Sequence, residues 1–353
     1  MVDWIYFFIY EWNIIYKLNY LRYLKYYMYI FEITKFFLFI LIILININKL
    51  INNNKLSHII NKTIKVCICT LGKNENRYII EFVEYYKKYG VDKIFLYDNN
   101  DKNGEAFEEV ISKYINNGFV KLLNWRGKKR KQIYIFNHCY KKNYRKYDWL
   151  IFYDIDEYIN LRNYSNIKKF LMEKKFNRCQ IIYLNWAIHT DNNLIHYENK
   201  SLHKRFPILE SNARKKNKNI YIPVKSILKG HVPNIKINSL HQLNPAIEAC
   251  DGLGNKPKID KYYMEPDFSH FFIDHYYFKS LEEFVEKLNK GSARTYDHID
   301  IKKLRFHRYF TMNEVNINKI KYIENKTKLN IARYIKYLKN ISFINLTERY
   351  YKN

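Results

Sequence analysis

Residues 149–159 read Trp-Leu-Ile-Phe-Tyr-Asp-Ile-Asp-Glu-Tyr-Ile, an apolar run that stops at two aspartates spaced i, i+2, with a glutamate directly after. A continuous hydrophobic run of this length fits a strand covered on both faces, so the chain must supply packing layers on two sides of a sheet. The carboxylates of Asp154, Asp156 and Glu157 then fall at the carboxyl end of that strand, where open α/β sheets bind ligands. Acids this close repel one another unless a cation or hydrogen-bond donors neutralise them. Hard oxygen ligands of this kind suit Mg²⁺ or Mn²⁺, held by one or two carboxylates together with substrate phosphates. Asp-x-Asp also arises by chance, and acids after a strand are ordinary turn residues. The surrounding pattern has to decide between the two.

That pattern alternates between strand and helix. Residues 65–71 read as a strand that ends in the polar loop Gly72-Lys73-Asn74-Glu75-Asn76. Residues 78–89 carry Ile79, Phe82, Val83 and Tyr86 at helical spacing, and Gly90 stops them. A second strand, 93–97, runs into Asp98-Asn99-Asn100-Asp101; helix 107–116, strand 119–123, a basic loop and helix 132–140 follow. Such alternation predicts an α/β fold with a doubly wound, mostly parallel sheet and flanking helices. The chain has 353 residues, 48% of them hydrophobic, enough for one large α/β domain with appendages or for two small domains.

The formal charge of +27, from 61 Lys+Arg against 34 Asp+Glu, suits nucleic acid, an anionic membrane surface or an anionic sugar nucleotide. The lysines are spread along the whole chain, which also fits plain compositional drift. No RRM, KH, zinc-finger or basic-zipper signature supports a specific nucleic-acid partner. The five cysteines, Cys67, Cys69, Cys139, Cys179 and Cys250, are odd in number and scattered, which argues against a disulfide scaffold; Cys67 and Cys69 read as small core residues.

The first fifty residues are aromatic and apolar, and residues 36–45 are purely so. They read first as an uncleaved signal anchor, next as a membrane-surface segment, and last as a core-packing helix. The expected division is an anchor over 1–50, an Asn-rich linker over 51–63, a catalytic domain over 64–300 and a basic helical tail over 301–353.

Five motifs in order carry a resemblance. They are Lys73-Asn74-Glu75, then Tyr97-Asp98-Asn99-Asn100, then Gln132 with Asn137-His138-Cys139, then Asp148-Trp149 with Asp154-Ile155-Asp156-Glu157, and finally His275-Tyr276-Tyr277-Phe278-Lys279-Ser280 leading to Lys287, Lys290 and Gly291. Over about residues 64–296 the chain resembles glycosyltransferase family 92, within the family-2-like GT-A glycosyltransferases. The resemblance implies a GT-A fold and transfer of a sugar from a nucleotide-sugar donor, a UDP- or GDP-sugar, with Mn²⁺ or Mg²⁺ as cofactor. Asp154 and Asp156 take the place of the DxD pair, the second as direct metal ligand and the first toward ribose or metal-bound water. Glu157 orients its neighbours. Asp98 and Glu75 would contact the nucleotide, or serve as turn and helix-capping acids. His275 is the leading distant metal ligand, with His270 and His241 competing. Lys225, Lys287 and Arg294 would meet the diphosphate. Asp191 is a candidate general base, with Glu248 and Asp251 as alternatives, and Trp186 would stack on a sugar or fill the core.

The expected reading is thus a membrane-anchored, metal-dependent and inverting glycosyltransferase acting on a glycan, glycoprotein or glycolipid. The alternatives are a metal-dependent phosphodiesterase or nuclease, and a non-catalytic membrane or nucleic-acid binder.

Overall fold

A computed structural model describes residues 2–60, 63–128, 131–209, 222–239, 241, 248–260, 263–265, 267–290 and 299–327. The chain divides into two units, residues 1–63 and 64–353. The first is a single helix, α1 (Val2–Ile60). No Gly or Pro lies within it, and Asn lowers helix propensity only modestly, so the helix runs on through the Asn-rich stretch expected to be a linker. Its segment Tyr16–Lys49 is long and apolar enough to cross a membrane, a property that signal sequences share. The large apolar side chains of this segment, from Tyr16 to Ile47, are mostly exposed.

The second unit is built on a mixed sheet. Its elements are β1 (Val66–Gly72), α2 (Asn76–Lys88), β2 (Lys93–Asp98), α3 (Glu108–Asn116), β3 (Val120–Asn124), α4 (Gln132–Asn143), β4 (Trp149–Phe152), β5 (Glu157–Asn160), α5 (Ile167–Leu171), β6 (Ile181–Ile188), α6 (Leu202–Arg205), β7 (Ile222–Lys229), β8 (Ala249–Cys250), β9 (Ile259–Asp260), β10 (Tyr263–Met264), β11 (Phe272–His275), α7 (Leu281–Asn289), α8 (Ile299–Met312) and α9 (Ile317–Thr327). The main path runs β3-β2-β1-β4-β7-β6-β11-β5. From β3 to β4 all pairs are parallel, as the alternation predicts. Beyond β4 the sheet becomes mixed: β7 is antiparallel to both β4 and β6, β11 is parallel to β6, and β5 is antiparallel to β11. The result is the α/β class expected from the sequence, with the acids on the turn between β4 and β5.

Two apolar layers cover the sheet. Val66 and Ile68 face a core shared with Ile79, Phe82, Val83 and Tyr86 of α2. Cys67, Cys69 and Leu71 face the other, where α4 contributes Ile135, Phe136, Cys139 and Tyr140. This is the period-two alternation of a strand buried on both sides. Gly72 closes β1 where a Cβ would sit 2.7 Å from Ile155 Cδ1 and 2.5 Å from Phe107 Cζ. Bare backbone there lets the Asp-Ile-Asp turn dock against the end of β1.

One expectation changes, and two segments take a definite form. Cys69–Cys139 and Cys179–Cys250 are disulfides, and Cys67 is a buried free thiol. The partners lie 70 and 71 residues apart and meet only because α4 packs on β1 and β8 pairs with β6, so no local spacing betrays them. The stretch expected as a linker is helical over 51–60. Of the tail expected over 301–353, the described part packs on the core, with Phe306 and Tyr309 of α8 and Ile323 of α9 buried there, and residues 328–353 lie outside the described residues.

Candidate active site

Chain direction and register gather the site. Asp154 and Asp156 sit on the turn after β4, and Glu157 opens β5. In the β5–β11 ladder His275 lies opposite Glu157, and the Tyr276 N–H donates to the Asp156 carbonyl at 3.0 Å. Lys225 comes from β7, two residues beyond the last β4–β7 pair, Ile151 with Ile227. Gln132 is the first residue of α4, and Lys287 lies on α7.

The acids divide by partner. Gln132 Nε2 donates to Asp154 Oδ1 at 2.9 Å and Lys225 Nζ to Oδ2 at 2.8 Å. The buried Glu157 accepts the Asp154 N–H on Oε2 at 3.1 Å, while its Oε1 lies 3.1 Å from Lys225 Nζ. Burial alone would lower the Lys225 ammonium, yet the two carboxylates beside it hold it above the usual lysine range. Asp156 receives Lys287 Nζ on Oδ2 at 2.8 Å, and its Oδ1 stands 3.6 Å from His275 Nε2. Burial would push Asp156 up, but Lys287 and His275 keep it well below the carboxylate range.

Burial brings His275 down to about 4, so its ring is neutral near pH 7. Its Nδ1 is buried with no hydrogen-bond partner among the described residues. A gap of 3.6 Å is too wide for a hydrogen bond and suits two ligand atoms on one ion. Ligand atoms of Asp156, Glu157 and His275 all lie within 4.8 Å of one another. A hard divalent cation therefore fits Asp156 and His275, with Glu157 adjacent. Asp154 fits less directly, because both of its oxygens already accept from protein donors.

The other expected residues are placed as follows. Asp98, at the end of β2, is buried; Arg126 Nη1 and the Asn100 N–H each donate to it at 2.9 Å. Glu75 holds the N-cap position of α2, bonded by Lys290, with Lys279 Nζ at 3.6 Å from its Oε2. Asp191 is buried: Lys319 donates to Oδ2 at 2.7 Å, Tyr309 donates to the same oxygen, and the Asn193 N–H donates to Oδ1 at 3.0 Å. Those bonds use Asp191 to hold α8 and α9 to the loop after β6. Trp186 packs between His275 and His241, with ring centroids 4.3 and 5.0 Å away. His270 pairs with Asp267 and Ser269 at the surface. Arg294 lies outside the described residues. Lys279 and Lys290, both in the motif starting at His275, also come to Glu75; their local signal is their place just before and at the end of a well-capped helix.

Known proteins agree with this reading at the family level. The family model for glycosyltransferase family 92 matches residues 62–308. A family 92 protein of Oryza sativa subsp. japonica is 31% identical over 119 residues, covering 31% of this chain and 20% of the relative. One of Ricinus communis is 31% identical over 108 residues, covering 30% and 19%. The match thus spans about a fifth of the length of these curated relatives. The solved structure of S. aureus TarS 1–349 overlays with a TM-score of 0.31 at 11% identity, covering 76% of this chain and 74% of TarS. The TarS 1–349 complex with UDP-GlcNAc gives the same TM-score at 13% identity, with 74% and 79% covered. Neither overlay is close enough to bear on the site. The family model spans most of the chain, residues 62–308, including Asp154, Asp156, Glu157, Lys225, His275 and Lys287, and on that ground the chain belongs to glycosyltransferase family 92.

Proposed function

We propose that this chain moves a sugar from a nucleotide-diphosphate donor, UDP- or GDP-linked, to a hydroxyl of a glycan, glycoprotein or glycolipid. The observation that carries the reading is the pairing of Asp156 Oδ1 with a neutral His275 Nε2 at 3.6 Å, at the carboxyl end of a parallel strand. In the transfer the bond from the anomeric carbon to the diphosphate oxygen breaks, and its electron pair leaves with the diphosphate. The acceptor oxygen bonds to the anomeric carbon and its proton passes to a base. Family membership supports inversion at that carbon. Asp156 and His275 would hold Mn²⁺ or Mg²⁺, which when bound offsets negative charge on the leaving diphosphate. Gln132 and Lys225 hold Asp154 facing the donor, and Lys287 keeps Asp156 ionised. The segment Tyr16–Lys49 supports anchoring at a membrane.

A hydrolysis screen of UDP- and GDP-sugars with Mn²⁺, comparing wild type with Asp156→Asn, tests the proposal. Release of nucleoside diphosphate from at least one donor, lost in the variant, is the expected result. No turnover of any donor, or equal turnover by both proteins, would overturn it.

A further inference from the structure

Lys279 is an improbable residue for its position. Its backbone sits at φ 57°, the left-handed region that disfavours side chains such as lysine. Its side chain is buried, and burial pulls its ammonium below the usual lysine range. Nζ lies 3.6 Å above the centroid of the Tyr78 ring and 3.6 Å from Glu75 Oε2, beyond hydrogen-bond range. Glu75 Oε2 is itself buried without a hydrogen-bond partner among the described residues. A strained backbone and a desolvated charge both cost stability, and no hydrogen bond among the described residues repays them. Glycine or asparagine would hold the same turn at lower cost.

The neighbours of Lys279 give this cost a use. Lys290 Nζ bonds Glu75 Oε1, so two ammoniums share one carboxylate and one positive charge is in excess there. Around Lys225 the arrangement is reversed, one amine standing beside two acid side chains, Asp154 and Glu157. Lys287 joins the two halves: it reaches Asp156 at 2.8 Å and lies one helical turn before Lys290 on α7. The site therefore has an acidic half suited to a cation and a basic half suited to an anion.

We infer that Lys279 and Lys290, with Lys287, form a diphosphate subsite that grips the donor and takes up the charge released onto the diphosphate when its bond to the sugar breaks. The inference rests on the donor reading above. Ammoniums at developing phosphate charge are an effective means of lowering such a barrier. On this account the diphosphate is held by the protein itself as well as through any cation, so it binds without one.

The test is calorimetric titration of the full chain in detergent with inorganic pyrophosphate in EDTA. Wild type should bind, and Lys279→Met and Lys290→Met should each weaken binding by about tenfold or more, as loss of one charge-assisted bond predicts. Lys121→Met, on an exposed position of β3, should leave it unchanged. Because Lys279 is buried, melting curves accompany its variant; Lys290, whose side chain is 19% exposed, keeps the test decisive if Lys279→Met fails to fold. Absence of pyrophosphate binding in EDTA, or unchanged affinity in Lys290→Met, would overturn the subsite. Lysine-dependent pyrophosphate binding without turnover of any sugar nucleotide would uphold the subsite and sink the donor reading. Donor turnover with an unchanged KM in both lysine variants would do the reverse.

Discussion

Asp154 and Asp156 are two residues apart yet chemically unlike. Asp154 spends both oxygens on Gln132 and Lys225, whereas Asp156 turns one oxygen toward a neutral histidine. Asp156→Asn should therefore lower Mn²⁺ affinity beyond calorimetric detection and reduce kcat/KM by at least about a hundredfold, the range seen when a group stabilising transition-state charge is lost. Asp154→Asn should weaken Mn²⁺ binding by about tenfold only, as for a residue acting around the ligands. Equal losses in the two variants would show that both aspartates bind the ion. Glu283 illustrates a charge used for structure. Arg205 donates to it at 2.6 and 3.1 Å, Tyr78 at 2.6 Å, and the Ser280 N–H at 3.0 Å. Glu283→Gln leaves Arg205 buried with a weakened partner and should cost about 3–5 kcal/mol at pH 7, read from denaturant melts. Burial would raise Glu283, but these donors hold it below its ordinary 4.5. Its stabilisation is then complete above about 4.5 and is lost as pH falls through the lower folded value. The gap in stability between wild type and variant should close below pH 4.5, and a gap independent of pH would contradict the assignment.

Among the elements, one disulfide ties a helix to the sheet and the other reinforces a strand pair that the ladder already joins. Cys69–Cys139 links β1 to α4, and Cys179–Cys250 links the entry of β6 to β8. Each closes a loop of 70 or 71 residues, worth about 4 kcal/mol on the chain-entropy model. Maleimide labelling of the denatured, unreduced protein should modify Cys67 alone, and labelling after reduction all five cysteines. Labelling of more than one thiol before reduction would disprove the pairing. Replacing either pair with alanines should lower the melting temperature.

For the whole molecule, the division at residue 63 coincides closely with the start of the family match at residue 62. Deleting residues 1–63 should leave a folded domain that stays in solution without detergent, while the full chain requires detergent or vesicles. Circular dichroism and a cooperative melt check the first expectation, and vesicle flotation checks the second. Loss of cooperative melting on deletion would show that α1 contributes to the core.

Much of this was legible residue by residue. The parallel half of the sheet, its helices and the acids after β4 follow from side-chain periodicity and from turn and stop residues, which act over a few positions. Local composition also keeps the Asn-rich stretch helical over 51–60, where the absence of Gly and Pro lets α1 continue. The site's remaining members depended on long-range geometry. His275 reaches Asp156 only through the β5–β11 register, Lys287 lies 131 residues from Asp156, and Lys290 lies 215 from Glu75. Asp191 has the look of a base in the chain, and only the fold shows that α8 and α9 bring Tyr309 and Lys319 onto it. Periodicity is written in each backbone segment and needs no partner. Which carboxylate meets an ammonium, a histidine or a cation depends on strand order and on the faces that pack together, and those are settled only when distant segments close on one core.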